Sequence, residues 1–394
     1  MSAPETARSG PDRWAVRASR LFDGDAFHEA AAVVIEAGRV LAVVPEADVA
    51  AMPGTHLPED ALLAPGFVDL QVNGGGGVLL NDAPTPEGAV AIVTAHRAHG
   101  STGLMLTLIS DGPSVLDALV EAAADIAAVR GVAGFHVEGP FLAPERRGVH
   151  RLDVLRIPDE ADFRRLARLA AVAPTILTLA PERVPAGTIR RFAESGVRVF
   201  IGHSQADAAC VARAVEEGAI GATHLFNAMS QIGPREPGIV GAVLDDARLC
   251  AGIIADGLHV HEANLRLAYR VLGPRRLALV TDAMPSVGSE EGGFVLQGRA
   301  IALEGGRLTA RDGTLAGAHL GMDEVVRNAV NMMGASLGDA LAMASAVPAR
   351  IVGLAGRGRL VKGARADLVA LDADLRTIAT WIDGEPAQPP RKIE

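Results

Sequence analysis

Three rhythms of apolar and polar residues run along the chain. Between 13 and 63, short β-type runs at 14–18, 31–36 and 39–44 follow one another with no helical spacing between them. Ala37-Gly38 separates the last two as a hairpin turn, so a small sheet is predicted there. From 62 onward apolar strands alternate with segments of helical period. The strands fall at 63–72, 103–109, 134–138, 175–179, 197–201, 222–225, 251–254 and 277–280. After the first of them, Thr85 stands as an N-cap, Pro86 at the first helical position and Glu87 in the first turn, and Gly100 stops the helix.

Eight strands, most of them separated by helices, predict an α/β fold: a (β/α)8 TIM-like barrel. An open doubly wound sheet is the alternative, and the regularity of the eight units favours closure. The rhythm turns β-like again over 292–314, with runs at 294–296, 300–303 and 307–310, then helical over about 321–333 and 337–353. Short strands return from 358 to about 381. This pattern places a small discontinuous β-sandwich domain at 13–61 and 357–394, built from both chain ends around a barrel at 62–356. The 292–314 stretch is an excursion from the barrel, and residues 1–12 are expected to be disordered.

Composition narrows the class. The 394 residues are 49% hydrophobic and 21% charged with only 3% aromatics, which fits a large core packed from aliphatic side chains. A net charge of −10 argues against nucleic acid or an anionic membrane as partner, and leaves room for an anionic small molecule held by a few local cations. Cys210 and Cys250 are the only cysteines, so a disulfide framework is excluded and both are read as reduced core residues. No apolar signal core opens the chain and no run approaches a membrane span, so a cytoplasmic protein is expected.

Barrels of this kind place their chemistry at the C-terminal ends of the strands. His203, in V-F-I-G-H, and His224, in G-A-T-H, bring two imidazoles to one rim, and Glu138, in F-H-V-E-G-P-F, adds a carboxylate. Three protein ligands with one open position describe a catalytic zinc-type site rather than a structural one. Singly, each residue has an ordinary reading as a hydrogen-bonded histidine or a salt-bridged rim carboxylate; their shared location favours the metal. Asp282, after the eighth strand, is placed to act as a base on water. Gln71 and Asn73, in Q-V-N-G-G-G-G, are amides and poor metal ligands, so one main ion rather than two is expected. The glycine run lacks the Lys-Ser/Thr of a phosphate loop and reads as a flexible turn. In the loops, His150, Asn227, Arg235 and His259 suit a phosphate or a sugar, although each alone reads as a surface residue. His136 and His261 are read as structural.

Taken in order, P-G-F-V-D-L-Q-V-N-G, H-V-E-G-P-F, L-A-P-E, G-H-S, A-T-H-L-F-N-A-M, R-E-P-G, G-I-I-A-D-G-L-H-V, L-V-T-D-A and D-G-T-L-A-G run from about Pro65 to Gly353. The series resembles the amidohydrolase superfamily, in the branch that deacetylates N-acetyl-D-glucosamine 6-phosphate. The resemblance implies Glu138, His203 and His224 as ligands of one divalent ion per subunit, with zinc favoured, and Asp282 as the catalytic acid/base. It implies that Val149, His150, Asn227, Ala228, Arg235, His259, Leu315, Ala316, Gly317 and Ala318 meet the substrate, with Gln71 and Asn73 as auxiliary residues. It further implies a homodimer in which His259 reaches the neighbouring active site. The family's loop after D-G-T-L usually reads Ser/Ala-Gly-Ser followed by Ser or Thr; Ala316, Gly317, Ala318 and His319 stand there without hydroxyls, and Arg151 stands where Asn is usual, so the departures lie on the substrate side. The alternatives are a deacetylase of a related sugar such as N-acetylgalactosamine 6-phosphate, and a non-catalytic sugar-phosphate sensor.

Overall fold

The computed structural model describes residues 13–387, so the expectation for residues 1–12 lies outside the described residues. Eight parallel strands form one sheet in chain order: Phe67–Val72 (β1), Ser101–Ile109 (β2), Val132–Glu138 (β3), Thr175–Leu179 (β4), Arg198–Ile201 (β5), Ala219–Ala222 (β6), Cys250–Ile253 (β7) and Leu277–Leu279 (β8). The end of β8 returns to β1. The Asp282 N–H donates to the Gln71 carbonyl at 3.0 Å and the Asn73 N–H to the Ala283 carbonyl at 2.9 Å. Below them the Thr281 hydroxyl donates to the buried Asp69 carboxylate at 2.5 Å. The ring closes by this short seam, which decides for the barrel over the open sheet. Covered by helices outside and side chains inside, most of the strands read as nearly continuous apolar runs, as parallel strands must.

The helix Pro86–Arg97 starts where the sequence marks it, with the Thr85 side chain accepting from the Gly88 N–H. Four elements depart from expectation. The predicted strand 63–72 breaks at Gly66, where a Cβ would lie 2.2 Å from the Thr102 side chain. Leu62–Pro65 therefore joins the terminal sheet and only Phe67–Val72 enters the barrel. The sixth strand ends at Ala222, so His224 sits beyond it in a turn. A helix at Gly238–Asp245 was not anticipated. The excursion carries a fourth strand, Leu315–Ala318, on the edge of its antiparallel sheet.

Strands from both chain ends share one continuous sheet. Leu62–Pro65 pairs on one side with Arg20 and Leu21 and on the other with Leu368–Leu371. Val16, Val33, Ile35, Leu63, Leu368 and Trp381 gather on one face of it as a core of their own. A buried ion pair ties this sheet to the barrel: Arg357 Nη1 lies 2.6 Å from Asp367 and donates to the Thr102 carbonyl at 2.9 Å. Arg357→Ala leaves the buried Asp367 carboxylate with the Asp383 N–H, at 2.9 Å, and Arg365 Nε, at 3.5 Å, in place of its close ion pair. The expected loss is about 3 kcal/mol, the lower end of what breaking a buried pair costs. Urea unfolding measures it.

Candidate active site

Three of the four residues expected to do chemistry sit just past strand ends in left-handed backbone: His203 (φ 48°), His224 (φ 31°) and Asp282 (φ 52°). Non-glycine residues hold that conformation at a cost of order 1–3 kcal/mol each, and such strain gathers at sites that need a side chain aimed against the run of the strand. Glu138 is the last residue of β3. Gly139 follows at φ 86°, and a Cβ there would meet Ser110 Oγ at 2.2 Å.

The four residues meet over the barrel mouth. Glu138 Oε1 lies 3.3 Å from His203 Nε2 and 3.1 Å from His224 Nε2, and the two nitrogens are 3.1 Å apart. Ligands at 2.0–2.2 Å in a tetrahedral site stand roughly 3.3–3.5 Å apart. The triangle thus has the dimensions of a metal's coordination face. His203 Nδ1 donates to the Arg146 carbonyl at 2.8 Å, which leaves a lone pair on Nε2, the state a ligand requires. These residues fit a divalent ion. His150 borders the group, its Nε2 3.9 Å from Glu138 Oε2, and Glu138, His150 and His203 also form a set of three convergent donors.

The β1 amides each serve one carboxylate. Gln71 Nε2 donates to Glu138 Oε1 at 3.0 Å and Asn73 Nδ2 to Asp282 Oδ1 at 2.7 Å. Each amide thus spends an N–H on a carboxylate, and the Asn73 Oδ1 has no hydrogen-bond partner. Burial, reinforced by the nearby Glu138 charge, pushes the Asp282 carboxyl up to about 6, while His224 and the Asn73 hydrogen bond pull the other way. The two histidines bonded to Glu138 hold its carboxyl well below the usual range against its burial.

A cavity of about 370 Å³ opens over this cluster, large enough for a sugar-sized ligand. Asn73, Glu138, Val149, His150, His203, His224, Asn227, Ala228, His259, Asp282, Leu315 and Gly317 all line it. Other expectations need correction. Ala316 and Ala318 do not line it: in the strand Leu315–Ala318 successive side chains alternate, and these two are buried on the opposite face. His259 lines the cavity of its own chain, with Nδ1 held 2.6 Å from Asp256. Arg235 is exposed and lies outside the cavity wall, and Gln71 is buried beneath it. Sequence reasoning passed over Glu145, Arg146 and Thr314, which also line the wall. The pair Arg146-Arg147 before Gly148 was the available signal for a cation here.

The model of the Amidohydrolase family matches residues 62–390. The chain belongs to the amidohydrolase family. Members of this family are metal-dependent hydrolases, and the Glu/His cluster is the corresponding feature of this chain. It is 39% identical to the N-acetylgalactosamine-6-phosphate deacetylase of Shewanella sp. over 84% of both chains. It is 40% identical to the N-acetylglucosamine-6-phosphate deacetylase of Homo sapiens over 82% of this chain and 83% of that one. Among solved structures, the N-acetylglucosamine-6-phosphate deacetylase from Pasteurella multocida superposes with a TM-score of 0.91 at 33% identity, covering 95% of this chain and 99% of the other.

Proposed function

We propose that this amidohydrolase cleaves the acetamido group of N-acetyl-D-glucosamine 6-phosphate, releasing acetate and D-glucosamine 6-phosphate. The observation that carries the reading is the metal-sized Glu138–His203–His224 triangle sharing one cavity with a buried carboxylate, Asp282. A sugar-phosphate sensor needs no such base.

Glu138, His203 and His224 would hold one divalent ion, zinc by the character of the donors. Bound there, the ion supplies Lewis acidity toward a carbonyl oxygen and toward water. Because Asn73 occupies Asp282 Oδ1, Oδ2 is the oxygen left to take the proton from attacking water. His150 Nε2 donates to the amide oxygen as charge builds on it. When the C–N bond breaks, Asp282 returns its proton to the leaving amine. Asn227, Arg146 and His259 on the cavity wall are the groups available to the sugar and its phosphate. The resemblance to the deacetylase branch implies a homodimer with His259 reaching the neighbouring active site, and Arg235, exposed and outside the cavity wall, would meet the phosphate. Arg235→Ala is then expected to raise KM for phosphorylated substrate roughly tenfold or more, the loss of one charge-assisted pair, with kcat kept. An unchanged KM removes Arg235 from the substrate site.

No helix among the described residues is long and apolar enough to cross a membrane. The deciding experiment is acetate release by zinc-reloaded protein from N-acetylglucosamine 6-phosphate, its unphosphorylated form and the galactosamine epimer. The Shewanella relative favours the epimer as the second reading. Release from the epimer alone establishes it, and release from none of the three ends both. The base also sets the sign of the pH dependence. Asp282 must be ionised to accept a proton, so kcat falls as pH drops through its pKa. That limb lies at or below about pH 6, since a bound dication pulls the carboxyl down from the value it has without one. A kcat that rises on acidification sinks the assignment.

A further inference from the structure

Ser110 has no place in the account so far, yet it lies between two working parts of the site. It follows β2, is buried, and touches His150 twice. Its backbone N–H donates to His150 Nδ1 at 3.3 Å and its Oγ lies 2.8 Å from the same nitrogen. Its Oγ can donate its one proton either to that nitrogen or to the Glu138 carbonyl, 3.1 Å away, and its own carbonyl accepts from Gln297 Nε2 at 2.8 Å.

A backbone N–H can only donate. The nitrogen it points at must therefore carry a lone pair, and a neutral imidazole with its lone pair on Nδ1 carries its proton on Nε2. His203 has the opposite arrangement: its Nδ1 faces a carbonyl, which can only accept, so its lone pair is on Nε2. Both Nε2 atoms look toward Glu138, at 3.3 and 3.9 Å. Two histidines that geometry alone would both admit to a metal's ligand set are thus divided by what holds their far nitrogens.

We infer that Ser110 is a positioning residue that fixes His150 as an Nε2–H donor, keeping it out of the metal's ligand set and available to the substrate's amide oxygen. The inference rests on the deacetylase reading for its last clause only. The rival arrangement runs the other way, with His150 Nδ1–H donating to Ser110 Oγ and the hydroxyl donating to the Glu138 carbonyl. It leaves the buried Ser110 N–H without that acceptor, a defect folded proteins avoid. Gly139 belongs to the same device, since any Cβ there would displace the Ser110 hydroxyl.

The test is made on the zinc-loaded full chain with ¹⁵N-labelled histidine, assigning His150 by its loss in His150→Gln. The long-range nitrogen–proton spectrum is expected to show the His150 proton on Nε2. In Ser110→Asp, which presents an acceptor where the hydroxyl stood, the proton is expected on Nδ1. Ser110→Ala keeps the N–H and loses the hydroxyl. It should lower kcat about tenfold, the worth of one ordinary hydrogen bond, with KM within about twofold and zinc content unchanged. A wild-type His150 protonated on Nδ1 overturns the inference. So does a Ser110→Ala enzyme with wild-type kcat, or one altered in KM alone. Should the wild type release no acetate from any hexosamine phosphate, the deacetylase reading fails, and the spectrum still decides the role of Ser110.

Discussion

Asp282→Asn is expected to lower kcat by about 10²–10⁴-fold, the usual worth of a positioned general base, while the protein keeps its metal. Asparagine preserves the side-chain shape and can still accept from Asn73 Nδ2, so the cavity wall is unchanged. What disappears is the oxygen able to take a proton from water and return it to the amine. The three residues that form the metal-sized triangle are untouched, so metal content should match the wild type. KM is expected to stay within a few-fold, because the carboxylate acts on the proton in flight rather than on the sugar. A variant retaining more than about a tenth of wild-type kcat would leave proton transfer to some other group.

Glu138→Gln should remove both the metal and the activity. Glu138 Oε1 is the point where His203, His224 and Gln71 meet. An amide there either turns a weak neutral oxygen toward the ion or points its NH2 at two imidazole nitrogens, and neither replaces a charged ligand. Linkage gives a second readout. Free metal at 100 times its Kd stabilises the folded protein by about 2.7 kcal/mol. Added zinc should therefore raise the melting temperature of metal-stripped wild type and leave Glu138→Gln unmoved. If the variant still takes up one equivalent of zinc and is stabilised by it, the ion is held by residues other than Glu138, and the assignment of the Glu138–His203–His224 triangle fails.

Glu138, His203, His224 and Asp282 were legible because each interrupts an apolar run with a polar residue at the place where a parallel barrel opens to solvent. What periodicity cannot show is how such a residue is turned. The left-handed backbone at His224 ends its strand at Ala222, whereas the run A-T-H-L reads as extended. Ala316 and Ala318 were placed on the substrate because a motif names positions without naming a face, and the pleat sends alternate side chains apart. The helix Gly238–Asp245 escaped notice because G-I-V-G-A-V-L is apolar almost all round and opens on a proline and a glycine. Long-range partners left no local trace: Asn73 meets Asp282 across the barrel seam, and Ser110 meets His150 from another strand. Arg146 was visible as a charge, but only the folded loop brings it to the cavity wall.

The strand Leu62–Pro65 has a further consequence for how the chain comes into being. One of its neighbours, Arg20–Leu21, is already made when it leaves the ribosome; the other, Leu368–Leu371, is separated from it by the entire barrel. Throughout that interval of synthesis one edge of a short, wholly apolar strand has no hydrogen-bonding neighbour, the kind of edge that recruits other chains. Completion of the terminal sheet is therefore a late event in biogenesis, and a chain cut short before Leu368 would be released with that edge bare.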